Sequence, residues 1–395
     1  MRTFAFSHMA GIYIHIPFCS KACHYCNFHF STSLHRKSEV INALQAELSA
    51  LRFPTPLAID KQIDTIYFGG GTPTLLNQAE LESLLAIIHR QFEVAPHAEV
   101  TIEANPDDLN AEKIRQLHSS GFNRLSIGVQ SFDDRDLVWM NRAHNSGQAI
   151  TAVKMAQDTG IENISIDLIY GVPTMSEKTW ENNLLQAVAL KVPHLSCYAL
   201  TVEERTALHH FIQKGKVPPM NDAQQVAHFK LMTQMLFANE YEHYEISNFA
   251  LQGSRSRHNS SYWKGRPYYG FGPSAHSFDG SNTRWWNIAN NALYITALNS
   301  GTTAYEWETL SAVQRLNEKI MTSLRTMEGL SVVVAKKQVA GQQLSPDQWQ
   351  LFFDKASHFI DQNWLAWQDD NLELTIEGKL YADHVSASLF IDEPA

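Results

Sequence analysis

The chain has 395 residues, 31 basic and 41 acidic, for a formal net charge of −10, and is 44% hydrophobic and 18% charged. That balance excludes a disordered chain and argues against a broad nucleic-acid-binding surface. No apolar run approaches the ~18 residues of a membrane span, and residues 1–19 lack the basic start and small-residue cleavage site of a secretory signal, so a cytoplasmic location is expected.

In chain order, β-branched and aromatic runs predict strands at 12–18, 65–68, 100–104, 124–130, 163–169 and 194–200. Amphipathic stretches predict helices at 39–51, 78–92, 111–119, 147–159, 177–189 and 223–239. Strand–helix units in series imply parallel strands with helical crossovers. The expected fold class is therefore α/β, as an open sheet or a partial (β/α)6 barrel, with ligands at the C-terminal strand ends. Residues 241–305, rich in Tyr, Trp, Asn, Gly and Ser, are expected to connect rather than to form regular elements. Beyond them, helices are expected at 311–325 and 347–362, a hairpin at 365–368 and 372–375, and a last helix near 378–389. This pattern suggests a small α+β, winged-helix-like C-terminal domain. Residues 301–395 hold 14 acidic and 7 basic side chains, so DNA binding is not expected there. The expected division is 1–240, 241–305 and 306–395.

Chemistry-bearing residues fall at the expected strand ends. Cys19, Cys23 and Cys26 follow the first strand with the spacing C-x3-C-x2-C. Thiolates are soft ligands that suit an iron–sulfur cluster. They also suit a zinc ion completed by His15, His24 or His29. Gly69-Gly70-Gly71-Thr72-Pro73 follows the second strand, and Glu103, Gln130 and Asp167 lie at the ends of the third, fourth and fifth. Cys197, in an apolar strand, reads as a core residue.

The cysteine spacing resembles that of the radical S-adenosylmethionine superfamily. Tyr13-Ile-His15-Ile-Pro17-Phe18-Cys19, Phe68-Gly-Gly-Gly-Thr72-Pro73-Thr74, Glu103-Ala-Asn105-Pro106, Gly128-Val-Gln130-Ser131-Phe132, Asp167-Leu-Ile-Tyr-Gly171-Val-Pro173 and Tyr198-Ala199-Leu200 sharpen the resemblance to the coproporphyrinogen-III-oxidase-like group. The resemblance implies a 4Fe–4S cluster on Cys19, Cys23 and Cys26, with S-adenosylmethionine at the open iron. In that family, reduction splits the sulfonium to a 5′-deoxyadenosyl radical. The resemblance further implies that Gly70, Gly71 and Thr72 contact the methionine part and that Glu103 binds the cofactor. Gln130, Arg142 and Asp167 would meet its polar groups, and Tyr13 and Ala199 would pack against it. No residue is assigned a catalytic role.

Two departures separate the chain from the oxidases of this group. Phe28 stands where they carry a fourth clustered cysteine, and the first strand begins near residue 11 instead of after an extension of tens of residues. Both features resemble the haem-chaperone branch, as does His258-Asn259-Ser260-Ser261-Tyr262-Trp263. That resemblance implies haem as ligand, with His258, Tyr262 and Trp263 in contact with it. It also implies an unidentified haem-acceptor protein and an electron donor as partners, and no nucleic acid. The shared rim keeps oxygen-independent coproporphyrinogen III oxidation as the alternative activity. A zinc-stabilised, RNA-modifying protein is a third reading, disfavoured by the acidic charge.

Overall fold

The computed structural model describes residues 9–54, 60–338 and 345–393; residues 1–8, on which part of the signal-sequence reading rests, lie outside them. Six strands, β1 (Ala10–Ile16), β2 (Gln62–Gly70), β3 (Glu93–Ala104), β4 (Arg124–Gln130), β5 (Ile164–Tyr170) and β6 (His194–Ala199), lie side by side in that order. Every neighbouring pair is parallel. These are the six expected strands, and their nearly continuous apolar runs have the physical cause expected of a parallel sheet covered on both faces; β4, for example, is buried along its whole length.

Among the described residues, eight α-helices occupy the crossovers and the stretch after β6: α1 (Lys37–Ala50), α2 (Gln78–Gln91), α3 (Ala111–Ser119), α4 (Asp134–Trp139), α5 (Ser146–Asp158), α6 (Glu177–Ala189), α7 (Ala207–Gln213) and α8 (Asp222–Ala238). Asn77, Asn110, Asn145 and Ser176 start α2, α3, α5 and α6, each side chain accepting from the backbone N–H three residues on. Such caps satisfy an otherwise orphaned donor and fix where each loop ends. The unanticipated α4 and α7 are too short for hydrophobic periodicity to reveal.

The stretch read as a connector supplies strands to the same sheet at both edges. β7 (Glu242–Glu245) and β8 (Asn248–Ala250) add beside β6, antiparallel. After α9 (Arg257–Trp263), β9 (Tyr268–Phe271) pairs parallel with β1. β10 (His276–Phe278), β11 (Thr283–Asn287) and, beyond α10 (Asn291–Asn299), β12 (Tyr305–Thr309) continue antiparallel to a sheet of twelve strands. Strands of three to five residues, punctuated by Gly and Ser, leave too little alternation to read from sequence. The β9–β11 edge is fastened to α1 by the half-buried Glu47 carboxylate. It accepts from Gly272 N at 2.8 Å, Asn287 Nδ2 at 2.6 Å and the Tyr294 hydroxyl at 2.6 Å.

The remainder packs around a second core that includes Leu316, Leu324, Phe352, Leu372 and Val385. Its elements are α11 (Ala312–Leu324), β13 (Leu330–Ser331), α12 (Val332–Gln338), α13 (Pro346–Asp361), β14 (Leu365–Gln368), β15 (Asn371–Leu374), α14 (Ile376–Lys379) and α15 (Ala382–Ser388), with the three strands in the order β13-β15-β14. The helices and hairpin are those expected of the small α+β unit. The single last helix is instead two short ones, α14 and α15. Arg325, following α11, joins the unit to the main sheet through Glu245, buried on β7, at 3.1 Å.

Candidate functional site

The C-terminal ends of β1–β6 open on a cavity of about 560 Å³. Cys19, Cys23, Cys26, Gly70, Gly71, Thr72, Glu103, Gln130, Arg142, Asp167 and Ala199 all line it. Tyr13 does not: its ring stacks behind the wall on Tyr67, 6.1 Å between centroids, and its hydroxyl lies 3.2 Å from His15 Nδ1.

The cysteine loop is closed and anchored by backbone bonds. Cys19 N donates to Ser31 O at 3.1 Å, and His24 N donates to Met140 O at 3.2 Å. Asn141 Nδ2 donates to Ala22 O at 2.7 Å, tying the loop to the end of α4. The glycine loop supports it from below: Gly71 N donates to Ile16 O at 2.9 Å and Thr72 N to Phe18 O at 2.6 Å. A Cβ on Gly71 would lie 2.5 Å from Phe18 O and 2.8 Å from Phe18 N, so only glycine lets the two loops meet. Gly71→Ala should lower thermal stability by about 1–3 kcal/mol through this overpacking and reduce iron uptake on anaerobic reconstitution. Parental melting and iron content together would show that the loop yields freely.

The three thiols share one wall, and burial pushes Cys19 up to about 11 and Cys26 upward. Thiols in such a setting give up their protons to a metal, because metal binding is coupled to deprotonation. Among the described residues no three His, Cys, Asp or Glu side chains converge on a single ion. A four-iron cluster places each thiolate on a different iron, so thiols spread along a loop suit it. Of the histidines considered for zinc, His15 has both ring nitrogens engaged, and His24 and His29 one each. His24 Nδ1 meets Trp139 O at 2.9 Å, His15 Nε2 meets His29 O at 2.9 Å, and His29 Nε2 meets Asn291 Oδ1 at 2.8 Å.

Around the thiols stand charges of both signs. Arg142, half-buried, donates through Nη1 to Cys23 Sγ at 3.2 Å and through Nη2 to Asn105 Oδ1 at 2.6 Å and Gly128 O at 2.8 Å, while its buried Nε has no partner. The register of β4 shifts between Ile127 and Gln130, where Gln130 takes a left-handed φ of 65°. That bulge turns Gly128 O toward Arg142 and sets Gln130 on the cavity wall. Glu103 accepts from the Tyr67 hydroxyl at 2.8 Å and from Gly70 N at 3.1 Å, with Gly70 at φ 104°. Burial pushes Glu103 up to about 7 and Asp167 up to about 6, against the donors that favour their ionised forms. A guanidinium and two carboxylates around one cavity match a ligand that carries a carboxylate and positive charge together, as S-adenosylmethionine does.

Several wall residues escaped the sequence reading. Arg124, Ser126, Ser165 and Ser196 carry the lining down into the sheet. Their signal was one serine in each of three adjacent apolar strands: Ser126 and Ser165 pair in register, and Ser196, in register with Asp167, meets Ser165 at 3.5 Å. Tyr67, which holds Glu103, has the look of a core aromatic in sequence. Asn105 lay inside the Glu103-Ala-Asn-Pro segment without being singled out.

The structure does not bring His258, Tyr262 and Trp263 to the cysteines. They lie on α9, near the N-terminal ends of the strands, and within 258–263 only Asn259 reaches the cavity wall. His258 is buried, its Nδ1 2.8 Å from Thr65 Oγ1 and its Nε2 2.8 Å from the Tyr262 hydroxyl. Its ring stacks on Tyr67 at 5.0 Å, and burial lowers its pKa to about 3. Both ring nitrogens are thus engaged, and in this arrangement His258 fastens α9 to β2; iron ligation requires those bonds to open. Trp263, half-buried, faces the Arg325 guanidinium at 5.3 Å. His276 stacks on Trp286 at 6.0 Å, and Cys197 is buried.

Comparison with known proteins bears on the family and the fold. The sequence profile of the Radical SAM superfamily matches residues 13–187. The heme chaperone HemW of Bacillus subtilis is 33% identical over 383 residues, covering 95% of this chain and 98% of that protein. HemW of Mycobacterium tuberculosis is 33% identical over 386 residues, covering 96% and 94%. Among solved structures, coproporphyrinogen III oxidase (HemN) from Escherichia coli superimposes with a TM-score of 0.83 at 21% identity, over 98% of this chain and 91% of that one. At that identity the likeness is one of fold.

Proposed function

From a chain that belongs to the radical SAM superfamily and, within it, to the family of heme chaperone HemW, we propose a protein that binds haem and delivers it to an acceptor protein. It carries a 4Fe–4S cluster on Cys19, Cys23 and Cys26, with S-adenosylmethionine at the open iron. The observation that carries the cofactor part is the convergence of three thiols, the Gly70–Gly71 turn, Glu103 and Arg142 on one cavity. When bound, the cluster supplies one-electron reduction. The protein's residues supply the rest: Arg142 grips a carboxylate, Glu103 and Asp167 meet positive charge and hydroxyls, and Gly71 keeps the two loops in register. An electron donor and a haem acceptor complete the scheme. Among the described residues no helix is long and apolar enough to cross a membrane, and we place the protein in the cytoplasm.

Oxygen-independent coproporphyrinogen III oxidation is the second reading, supported by the HemN-like fold. Phe28, two-thirds exposed at the cavity wall, stands against it as the replacement of the fourth clustered cysteine. An anaerobic assay that yields protoporphyrinogen would displace the chaperone reading in favour of this one.

Haem titration of the reconstituted protein should give a saturable spectral change; its absence in the parent protein sinks the proposal. His258→Ala should weaken the haem spectrum and also lower stability by about 2–4 kcal/mol. It deletes a buried ring and strands the hydroxyls of Thr65 and Tyr262. The titration therefore needs a melting curve beside it, so that lost binding is separated from lost fold.

A further inference from the structure

The cysteine cavity continues down into the sheet, past the residues matched to the cluster and S-adenosylmethionine. Ser126, Ser165 and Ser196, one on each of β4, β5 and β6, line it there. Closed barrels fill inward positions of this kind with bulky branched side chains; serines leave the space open. Arg124, Ser247, Ser256 and Asn259 line the same lower part. Arg124 is only 2% exposed, and its guanidinium has one partner among the described residues, Asn163 Oδ1, with no carboxylate at salt-bridge distance. The carboxylates around it are engaged elsewhere. Asp167, which feels its charge, accepts from the Ser126 and Ser196 hydroxyls. Glu99, on the neighbouring β3, accepts from Arg257 N at 3.1 Å and His258 N at 3.0 Å. His194 and Tyr244, which also face Arg124, bond to each other at 2.7 Å, and His194 Nδ1 lies 2.6 Å from Ser165 Oγ.

A buried guanidinium is costly unless an anion and further hydrogen bonds complete it. Unused polar groups stand beside this one. The Thr101 hydroxyl, paired in register with Arg124, is buried without a partner. The Asn259 amide and the Ser247 and Ser256 hydroxyls donate to nothing among the described residues, Ser256 Oγ only accepting from Asn259 N at 3.3 Å. We propose that this floor is a binding site for a short monocarboxylate, seated in the Arg124 fork and completed by Asn259 Nδ2 and the Ser256 hydroxyl. The planar fork matches a carboxylate. One uncompensated cation takes one negative charge, and Asp167 and Glu99 nearby repel the second charge of a phosphate. A free acid and the carboxylate arm of a longer ligand present the same group to this floor. The site is distinct from any haem site, and it gives the segment 258–263 a residue that works inside the cavity, Asn259, while His258 holds the helix in place.

The test uses the full chain. Wild type, Arg124→Gln and Asn259→Asp are melted in increasing sodium propionate, in propionamide and in sodium chloride, at matched ionic strength. Propionate should raise the wild-type midpoint saturably, as a ligand of the folded state does. Propionamide, its neutral isostere, and chloride should not. Asn259→Asp sets a negative charge against the site, and Arg124→Gln removes the fork; each should weaken propionate at least about tenfold. Arg124 is buried, so that variant can fail to fold; Asn259 is half-buried on the cavity wall, and its variant then decides alone. Hexanoate separates the two sources. Tighter binding than propionate supports the arm of a longer ligand, and weaker binding supports a free short acid. A wild-type midpoint that propionate and propionamide move alike overturns the proposal, as does undiminished propionate affinity in Asn259→Asp. Neither result bears on haem binding, which is measured separately.

Discussion

Replacing any one of Cys19, Cys23 or Cys26 by alanine should leave the anaerobically reconstituted protein with almost no bound iron or sulfide, against about four irons per chain for the parent. The proposed cluster would have only three protein thiolates to hold it, so each loss would remove a third of the attachment. No other thiol can replace the missing one. Cys197 is buried on β6, paired in register with Leu168, and cannot reach the rim. Nor can the loop shift to recruit a histidine, because His24 N and Ala22 O are held by the end of α4 and His29 is held by Asn291. The fold should survive: the three side chains are only partly buried, and truncations at such positions change stability by less than about 1 kcal/mol. Iron and sulfide analysis beside a melting curve separates the two effects. A single variant that keeps its full iron content would show that the cysteine replaced is not a ligand.

The contrast between the two ends of the barrel shows what sequence can and cannot carry. The six parallel strands were legible because each is a compact apolar run bounded by turn residues, and the rim was legible because its residues follow those runs directly. Residues that act through another side chain were not. Tyr67 reads as packing and becomes part of the site only because β2 and β3 pair so that its hydroxyl meets Glu103. The edge strands β7–β12 were hidden for a different reason: each has only three to five residues, and β9 and β8, which attach the two groups to the sheet, pair with β1 and β6, distant in sequence. For α9 the residues were found, but their orientation was not. Sequence placed His258 beside aromatic residues. Only the three-dimensional arrangement shows that it faces inward, onto Tyr67 and Thr65.

That inward arrangement links the two ends through Tyr67, whose hydroxyl holds Glu103 and whose ring packs on His258. Ionisation of Glu103 should therefore be visible in the whole fold. Burial, with the charge of Asp167 adding to it, raises Glu103 to about 7, while the Tyr67 hydroxyl and Gly70 N–H oppose the rise. With the unfolded value near the ordinary 4.5, the sign follows. Below pH 4.5 the group is protonated in both states and contributes nothing. Between 4.5 and 7 the unfolded chain ionises while the fold keeps the proton, so stability is lost as pH rises. Above 7 the loss is constant. The full interval corresponds to roughly 3 kcal/mol, and to about 2 once the part of the carboxylate facing the open cavity is allowed for. Buried neutral histidines such as His258 act in the opposite sense at lower pH, so the wild-type curve alone mixes the two. The difference between Glu103→Gln and wild type isolates the carboxylate. The glutamine variant should gain stability relative to wild type by about 2 kcal/mol between pH 4.5 and 7 and hold that gain at higher pH. In the proposed function the same proton would govern ligand binding. S-adenosylmethionine carries a sulfonium cation, which the ionised carboxylate favours. Its affinity for the reconstituted wild type should rise with pH through about 7, and that rise should flatten in Glu103→Gln. Parallel pH profiles for the two proteins, in melting and in binding, would mean that Glu103 is ionised throughout and that the cavity does not shield it.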